Sequence, residues 1–415
     1  MTSKYNLGKR GDRMRQIRLL VGVLLAVVVI GNIAGTVMAV KTETISKTAI
    51  CIHFHYLSEW KAGDPLPQKD IQMIEKAKDL NARYIRFDIW WKDVEPQKDQ
   101  FNENAFEYYK AIINKIHQEG MDVIVVLGSS GGFPSWVNDL LEDAGTGYYI
   151  TKVNDSIVKI PTGHVDMKTF LKIAEENRIP IKSENLYIVN GKVVIQARVT
   201  PEFLKEAKEY ASKVAQKLGN MITYYQLGNE LNHLADPIQM WDDPKYIKAL
   251  YDGISEHDYH FKTIVNAFAD WAQWDYWLKY WLDNVGSCIN IVAIDHYPGT
   301  WAPESYDHWS ELDTLFSIAE QYGKQAAIME TGYSTYSDLI GHGEDEQKDF
   351  INSALPVIRQ KAQQHYLAFV TWYELVDEAW QSIVPVEWYF GICKDSLSPK
   401  LGYNDLKYQF SLFGG

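Results

Sequence analysis

Eight short runs rich in β-branched and aromatic residues punctuate this chain: AICIHFH at 49–55, RYIRFD at 83–88, DVIVVLG at 122–128, ITYYQLG at 222–228, KTIVNA at 262–267, NIVAIDH at 290–296, QAAIME at 325–330 and LAFVTWY at 367–373. Their starts lie 34, 39, 100, 40, 28, 35 and 42 residues apart. Every gap but one fits a strand, a helix and two loops, the pattern of repeated βα units. Amphipathic stretches fill the gaps. Residues 68–79 carry Ile71, Ile74 and Ala77 on one stripe, 102–118 carry Phe106, Ile113 and Ile116, and a further helix is expected at 202–218. Eight such units in a row predict an α/β fold, a single (β/α)8 barrel of parallel strands spanning 45–415.

The gap of 100 residues after the third strand locates an insertion at about 133–200, before the helix at 202–218. It contains a hairpin signal, Leu186-Tyr-Ile-Val-Asn190-Gly191-Lys-Val-Val-Ile, in which Asn-Gly supplies a tight turn. A loop in this position rises from the C-terminal rim of a barrel, where active sites are built.

The first 39 residues stand apart. Lys4, Lys9, Arg10, Arg13, Arg15 and Arg18 precede the apolar run Leu19 to Ile30, and small residues around Ala39 follow, the layout of a secretory signal. Residues 19–40 are also long enough to act as an uncleaved membrane anchor. Either form puts the remainder outside the cytosol, secreted or membrane-anchored. Without this basic segment the formal charge moves from −13 to −18, which excludes a phosphate-tracking nucleic-acid binder. Three cysteines, Cys51, Cys288 and Cys393, allow at most one bridge, so disulfides do not build the fold.

In a barrel, side chains at the C-terminal strand ends point into the site. Strand four ends Leu227-Gly228-Asn229-Glu230 and strand seven ends Ile328-Met329-Glu330. Two carboxylates half a barrel apart face one another across the mouth. That pairing suits glycosidic cleavage, in which one carboxyl protonates the leaving oxygen and the other attacks, or activates water at, the anomeric carbon.

The motifs around them sharpen this. Tyr225-Gln-Leu-Gly-Asn229-Glu230-Leu-Asn232, Met329-Glu330-Thr-Gly-Tyr333, Ile294-Asp-His296-Tyr297-Pro, Phe369-Val-Thr-Trp372-Tyr-Glu-Leu375 and Trp90-Trp-Lys-Asp-Val-Glu-Pro96 occur in barrel order, with Phe390-Gly-Ile392 and Pro399-Lys400 as a tail. Together they resemble glycoside hydrolase clan A over residues 49–415 apart from the insertion. The Gly-rich ending of strand three, Gly128-Ser-Ser-Gly-Gly132, departs from the clan's best-known cellulase family 5, which has a His there. It is closer to families with a Gly-rich loop, leaving families such as 39 and 53 open. The resemblance implies Glu230 as general acid/base and Glu330 as nucleophile. It also implies Asn229 on the sugar 2-hydroxyl, Arg86 and Tyr297 beside the nucleophile, and Trp372 as the floor of the subsite where the bond breaks. The implied activity is hydrolysis of a β-linked polysaccharide or oligosaccharide by double displacement, with no metal or organic cofactor.

Further substrate contacts are expected of His55, Trp90, His296, Trp136 and Trp301, which lie on strand ends or rim loops. Trp274, Trp277 and Trp281 fall at helical spacing and are expected in packing. Asp295 alternates with core-facing residues and is expected to support the rim. His53-x-His55 also resembles the opening of a metal-dependent amidohydrolase, which needs His at strands five and six and Asp at strand eight; of these only His296 is present. A transglycosylase using the same carboxylates, or a non-catalytic carbohydrate-binding barrel, are the other classes this rim admits.

Overall fold

A computed structural model describes residues 46–415 apart from 144–147, 154–155, 162–171, 173–186, 190–191, 195–196, 234–235, 237, 239–240, 271–272, 302–303, 338–341, 379–384 and 414–415. The leader or anchor expected at 1–39 lies outside these residues. Residues 45–415 form one compact unit.

Eight parallel strands close a barrel: β1 Lys47–Cys51, β2 Tyr84–Asp88, β3 Asp122–Leu127, β4 Tyr224–Leu227, β5 Lys262–Phe268, β6 Ile291–Asp295, β7 Gln325–Thr331 and β8 Leu367–Trp372. Neighbours in the ring are consecutive in sequence, and β1 pairs with both β2 and β8. Helices α1 Gln68–Asp79, α2 Glu103–Gln118, α3 Pro201–Leu218, α4 Asp243–Ser255, α5 Trp274–Val285, α6 Ser310–Tyr322, α7 Glu344–Gln364 and α8 Tyr403–Phe413 alternate with the strands. The fold is therefore the expected (β/α)8 barrel. One boundary shifts. β1 ends at Cys51 rather than at residue 55, so His53 and His55 lie in the segment that leaves the strand.

The strands are buried on both faces, as parallel barrel strands must be. One set of side chains fills the barrel interior, including Ile124, Tyr224, Ile264, Ala293, Met329 and Phe369. Near the N-terminal end the rings of Tyr84 and Tyr224 meet Phe369 edge-on, at 5.1 and 4.9 Å, and plug the barrel. The alternate set packs outward against the helices, with Trp281 and Trp274 of α5 buried there. Helix starts are fixed locally: Asn102 accepts from the Ala105 amide, and Thr200, followed by Pro201, accepts from the Phe203 amide.

Between β3 and α3 the described residues form small antiparallel pairs. Leu141–Asp143 pairs with Ala197–Val199, Tyr148–Val153 with Ser156–Pro161, and Tyr187–Val189 with Lys192–Val194. The last pair flanks Asn190 and Gly191, which themselves lie outside the described residues.

Helices α3 and α4 approach closely because Gly253 carries no side chain. A Cβ there would lie 2.2 Å from the Lys208 carbonyl oxygen and 2.9 Å from the Ser212 nitrogen. Backbone cannot yield as a flexible side chain does. Gly253→Ala is therefore expected to destabilise the barrel by about 1–3 kcal/mol, read as a lower urea midpoint with unchanged slope.

Candidate active site

Arg86, on β2, lies 3% exposed below the C-terminal mouth, and its donors organise the site. Its Nη1 is 2.8 Å from Glu330 Oε1, Nη2 donates to Asn229 Oδ1 at 2.7 Å, and Nε donates to Gln226 Oε1 at 2.8 Å. Gln226 Nε2 and Asn266 Nδ2 also donate to Asn229 Oδ1, each at 2.9 Å. An amide oxygen that receives three donors fixes which way the amide faces. The Asn229 NH2 is thereby left to turn away from the network as a donor.

Glu330, at the end of β7, accepts the Tyr297 hydroxyl on its other oxygen at 2.5 Å. Both carboxylate oxygens thus have donors, an arrangement that suits an acceptor-only group.

Glu230 follows β4 across the mouth. Its φ of 47° and that of Gly228, 73°, turn the chain sharply after the strand. A left-handed conformation at a non-glycine residue costs roughly 1 kcal/mol and is held here by its surroundings. One carboxylate oxygen from each of Glu230, Asp295 and Glu330 lies within 4.8 Å of the other two. Burial of the Glu230 carboxyl, followed by the charges of Asp295, Glu330 and Glu387, pushes it well above the usual carboxylate range. Asp295 is fully buried, receives a hydrogen bond from Asn266 Nδ2 and shares one with Glu230. Contact between two carboxyl groups requires a proton on one of them. Burial and Glu330 raise Asp295 as well, against the lowering effect of Arg86. Glu387 is raised to about 7 by burial and Glu330.

Strand periodicity corrects two expectations. Trp372 is not the floor of the site: it is fully buried, turned into the helix layer, with its ring 6.1 Å from Phe350 of α7. Its successor Tyr373 occupies the inner side, 6.1 Å from the Tyr297 ring and 5.5 Å from Phe390. His296 likewise turns outward. It is 1% exposed, pairs through Nδ1 with Asp270, lies 3.3 Å from Glu311 Oε2 through Nε2, and meets Trp309 edge-on. It is placed to act through structure rather than on substrate, because Asp270 also accepts the Tyr297 amide at 3.0 Å. Asp295, expected as rim support, is instead a member of the carboxylate cluster.

The other expected contacts are half-buried at the rim. Trp90 lies beneath Lys92 Nζ, 4.8 Å from its ring. A Cβ at Gly132 would lie 2.3 Å from Trp90 Cε3, so the Gly-rich loop after β3 makes room for this indole. Trp136 packs edge-on against Trp91 at 5.7 Å and donates to the Glu95 carbonyl, which ties it to the loop after β2. Trp301 lies against Phe390 at 6.3 Å. His55 lies 4.0 Å from Glu378, and burial, then His53, lowers it to about 3. His53 sits between Glu374 and Glu378. Burial opposes its charge, but these two carboxylates outweigh that and hold it well above the usual histidine range. Gln226, Asn266, Tyr373, Glu378 and Glu387 were not singled out from sequence, whereas Glu374 was noted as an acidic group near a strand end. For Gln226 and Asn266 the signal is a polar residue inside an apolar strand.

No protein-family model matches this chain, and no curated protein matches it. Solved structures do. A family 39 glycoside hydrolase from the gut symbiont Bacteroides cellulosilyticus WH2 aligns over 89% of this chain and 64% of its own, with a TM-score of 0.57 and 17% identity. The exo-β-1,4-mannosidase Op5Man5 from Opitutaceae bacterium strain TAV5 aligns over 88% and 59%, with a TM-score of 0.57 and 14% identity. A GH5_18 protein from Streptomyces cattleya in complex with GlcNAc aligns over 90% and 81%, with a TM-score of 0.58 and 12% identity. This chain therefore spans less than two thirds of the length of the first two. At such identities the likeness establishes the barrel fold.

His296 also gives the site a pH-sensitive support. Burial would lower it, but Asp270 and Glu311 raise it from 6.5 to about 9. A histidine raised on folding stabilises fully below its unfolded value, and that contribution is lost as pH rises through the folded one. Stability should thus fall between pH 6.5 and about 9, by on the order of 3 kcal/mol from this group. Chemical denaturation across that range should show the slope in wild type and a flatter one in His296→Gln.

Proposed function

We propose that this chain is a retaining glycoside hydrolase of clan A, cleaving a β-linked polysaccharide or its oligosaccharides. The observation that carries the reading is the approach of Glu230 and Glu330, with oxygens within 4.8 Å across the mouth. Retaining enzymes hold their two carboxyls about 5–5.5 Å apart, whereas inverting ones need roughly 6.5–9.5 Å to admit a water. The two environments also differ as the two roles demand. Glu230 is held in its protonated range by burial and neighbouring acids, while Glu330 is surrounded by the Arg86 guanidinium and the Tyr297 hydroxyl.

In the first step a Glu330 oxygen bonds to the anomeric carbon as the glycosidic C–O bond breaks, and Glu230 transfers its proton to the departing oxygen. In the second, Glu230 takes a proton from water, whose oxygen bonds to the anomeric carbon and releases Glu330. The outward-turned NH2 of Asn229 is suited to hold the sugar 2-hydroxyl, a contact that strengthens as positive charge develops at the ring. Asp295, accepting from protonated Glu230, keeps that proton in place until a leaving group requires it. Transfer of the glycosyl group to a sugar in place of water would use the same residues.

The structural neighbours with glycosidase titles support this reading through the shared barrel. An extracytoplasmic location, secreted or anchored by residues 19–40, fits a polymeric carbohydrate substrate. Among the described residues no helix is long and apolar enough to cross a membrane.

A panel of aryl β-glycosides and β-linked polysaccharides tests the assignment. Glu330→Ala should lose at least ~10⁴-fold in kcat, and azide should restore turnover of an activated aryl glycoside with inverted product. Glu230→Ala should lose ~10²–10⁴-fold, least with good leaving groups, and azide should then give a retained product. Full activity in either variant across the panel would defeat the reading. Separately, Asp295→Asn removes one of the charges that hold the Glu230 proton. The alkaline limb of its kcat/KM profile should therefore move to lower pH.

A further inference from the structure

The double displacement makes no use of the histidine pair that leaves β1, yet the end of β8 folds two carboxylates around it. His53 Nδ1 lies 3.2 Å from Glu374 Oε2 and 3.2 Å from Glu378 Oε2. His55 Nε2 lies 4.0 Å from the same Glu378 oxygen. The group is sealed on one side, with His53 9%, Glu374 1% and Glu378 4% exposed, whereas the His55 side chain is 35% exposed. The donor atoms of His53, Glu374 and Glu378 all fall within 4.8 Å of one another.

A protonated imidazole held by two carboxylates is the competing reading, and it fits poorly. One Nδ1 carries one proton, so two contacts of equal length share it as a three-centre bond, weaker toward each carboxylate than a single directed one. The other oxygen of Glu374, Oε1, is buried without a hydrogen-bond partner, an arrangement that is costly unless a further charge compensates it. Lys92 is the nearby ammonium, but it is directed to the Gly131 carbonyl and the Trp90 ring.

We propose that His53, His55, Glu374 and Glu378 bind a divalent transition-metal cation, with zinc the best fit to the ligand set. Metal–ligand bonds of 2.0–2.2 Å place tetrahedral donors about 3.3–3.6 Å apart, close to the two contacts that converge on His53. Two imidazoles and two carboxylates select zinc and its neighbours over magnesium or calcium, which take oxygen ligands. The exposed edge of His55 provides an entry path. The site lies on the wall of the same cleft. The Tyr373 ring is 5.9 Å from His53 on one side and 6.1 Å on the other from Tyr297, which donates to Glu330.

Binding is tested directly on the full chain after chelation and dialysis, by calorimetric titration with zinc chloride and by the visible spectrum after cobalt(II) loading. Equimolar zinc uptake, an intense four-coordinate cobalt spectrum and a higher melting temperature with zinc are expected. Glu378→Gln should weaken zinc at least ~10-fold and abolish the zinc-dependent rise in melting temperature. Glu304→Gln, in the separate cluster of His296, Glu304 and Glu311, should leave binding unchanged. If Glu378→Gln lacks a cooperative melt, His55→Ala at the exposed edge replaces it. No equimolar uptake by wild type, or equal affinity in the ligand variant, would overturn the proposal. Aryl glycoside hydrolysis by the chelated protein reports separately on Glu230 and Glu330, so the two assignments can fail independently.

Discussion

A single buried guanidinium holds the mouth of this barrel together. Arg86 directs its donors to Glu330, Asn229, Gln226 and Cys51, all at or below the level where the strands end. A buried cation so placed is stable only if its partners stay, and the partners keep their orientation only while it is there. Removing it would leave the charge shared by Asp295 and Glu230 facing that of Glu330 with no cation to offset them. The functional geometry is therefore an electrostatic consequence of one residue on β2, not of the rim loops above it.

From that anchor the site divides by environment. On the Arg86 side, donors converge on Glu330. On the β4 and β6 side, Glu230 and Asp295 share a proton under partial burial. The left-handed turn at Glu230 is the backbone strain that places one carboxyl above the network and leaves Asn229 within it. Under the proposed mechanism two chemically identical groups take opposite tasks through position alone, and both positions are set by strand ends that the barrel makes rigid.

The barrel was legible because buried parallel strands appear as apolar runs and their spacing carries the βα period. Glu230, Glu330, Asn229 and Tyr297 were legible because they sit at strand ends in recognisable motifs, and Arg86 because the resemblance places a cation on strand two beside the nucleophile position. The structure brings these five together. What failed was the face on which a strand-end residue lies. Trp372 and His296 each precede the inward residue by one position, Tyr373 and Tyr297. Counting by twos from Ala293 and Phe369, which line the barrel interior, turns Asp295, Tyr297 and Tyr373 inward and His296 and Trp372 outward, so here the motif match outweighed a period that the strands do keep. Asp295 was misplaced for the same reason. Glu374, Glu378 and Glu387 come from the segment after β8, whose path depends on tertiary packing and not on any local pattern.

The central claim is that Glu330 becomes covalently bonded to the sugar. A 2-deoxy-2-fluoro glycoside with an activated aryl leaving group slows breakdown of such an adduct more than its formation, so the labelled protein can be digested and sequenced by mass spectrometry. One fluoroglycosyl group per chain on the peptide that contains Met329-Glu330-Thr331 is the predicted result. A label carried on any other residue, or burst-free turnover with an inverted product, would contradict the account.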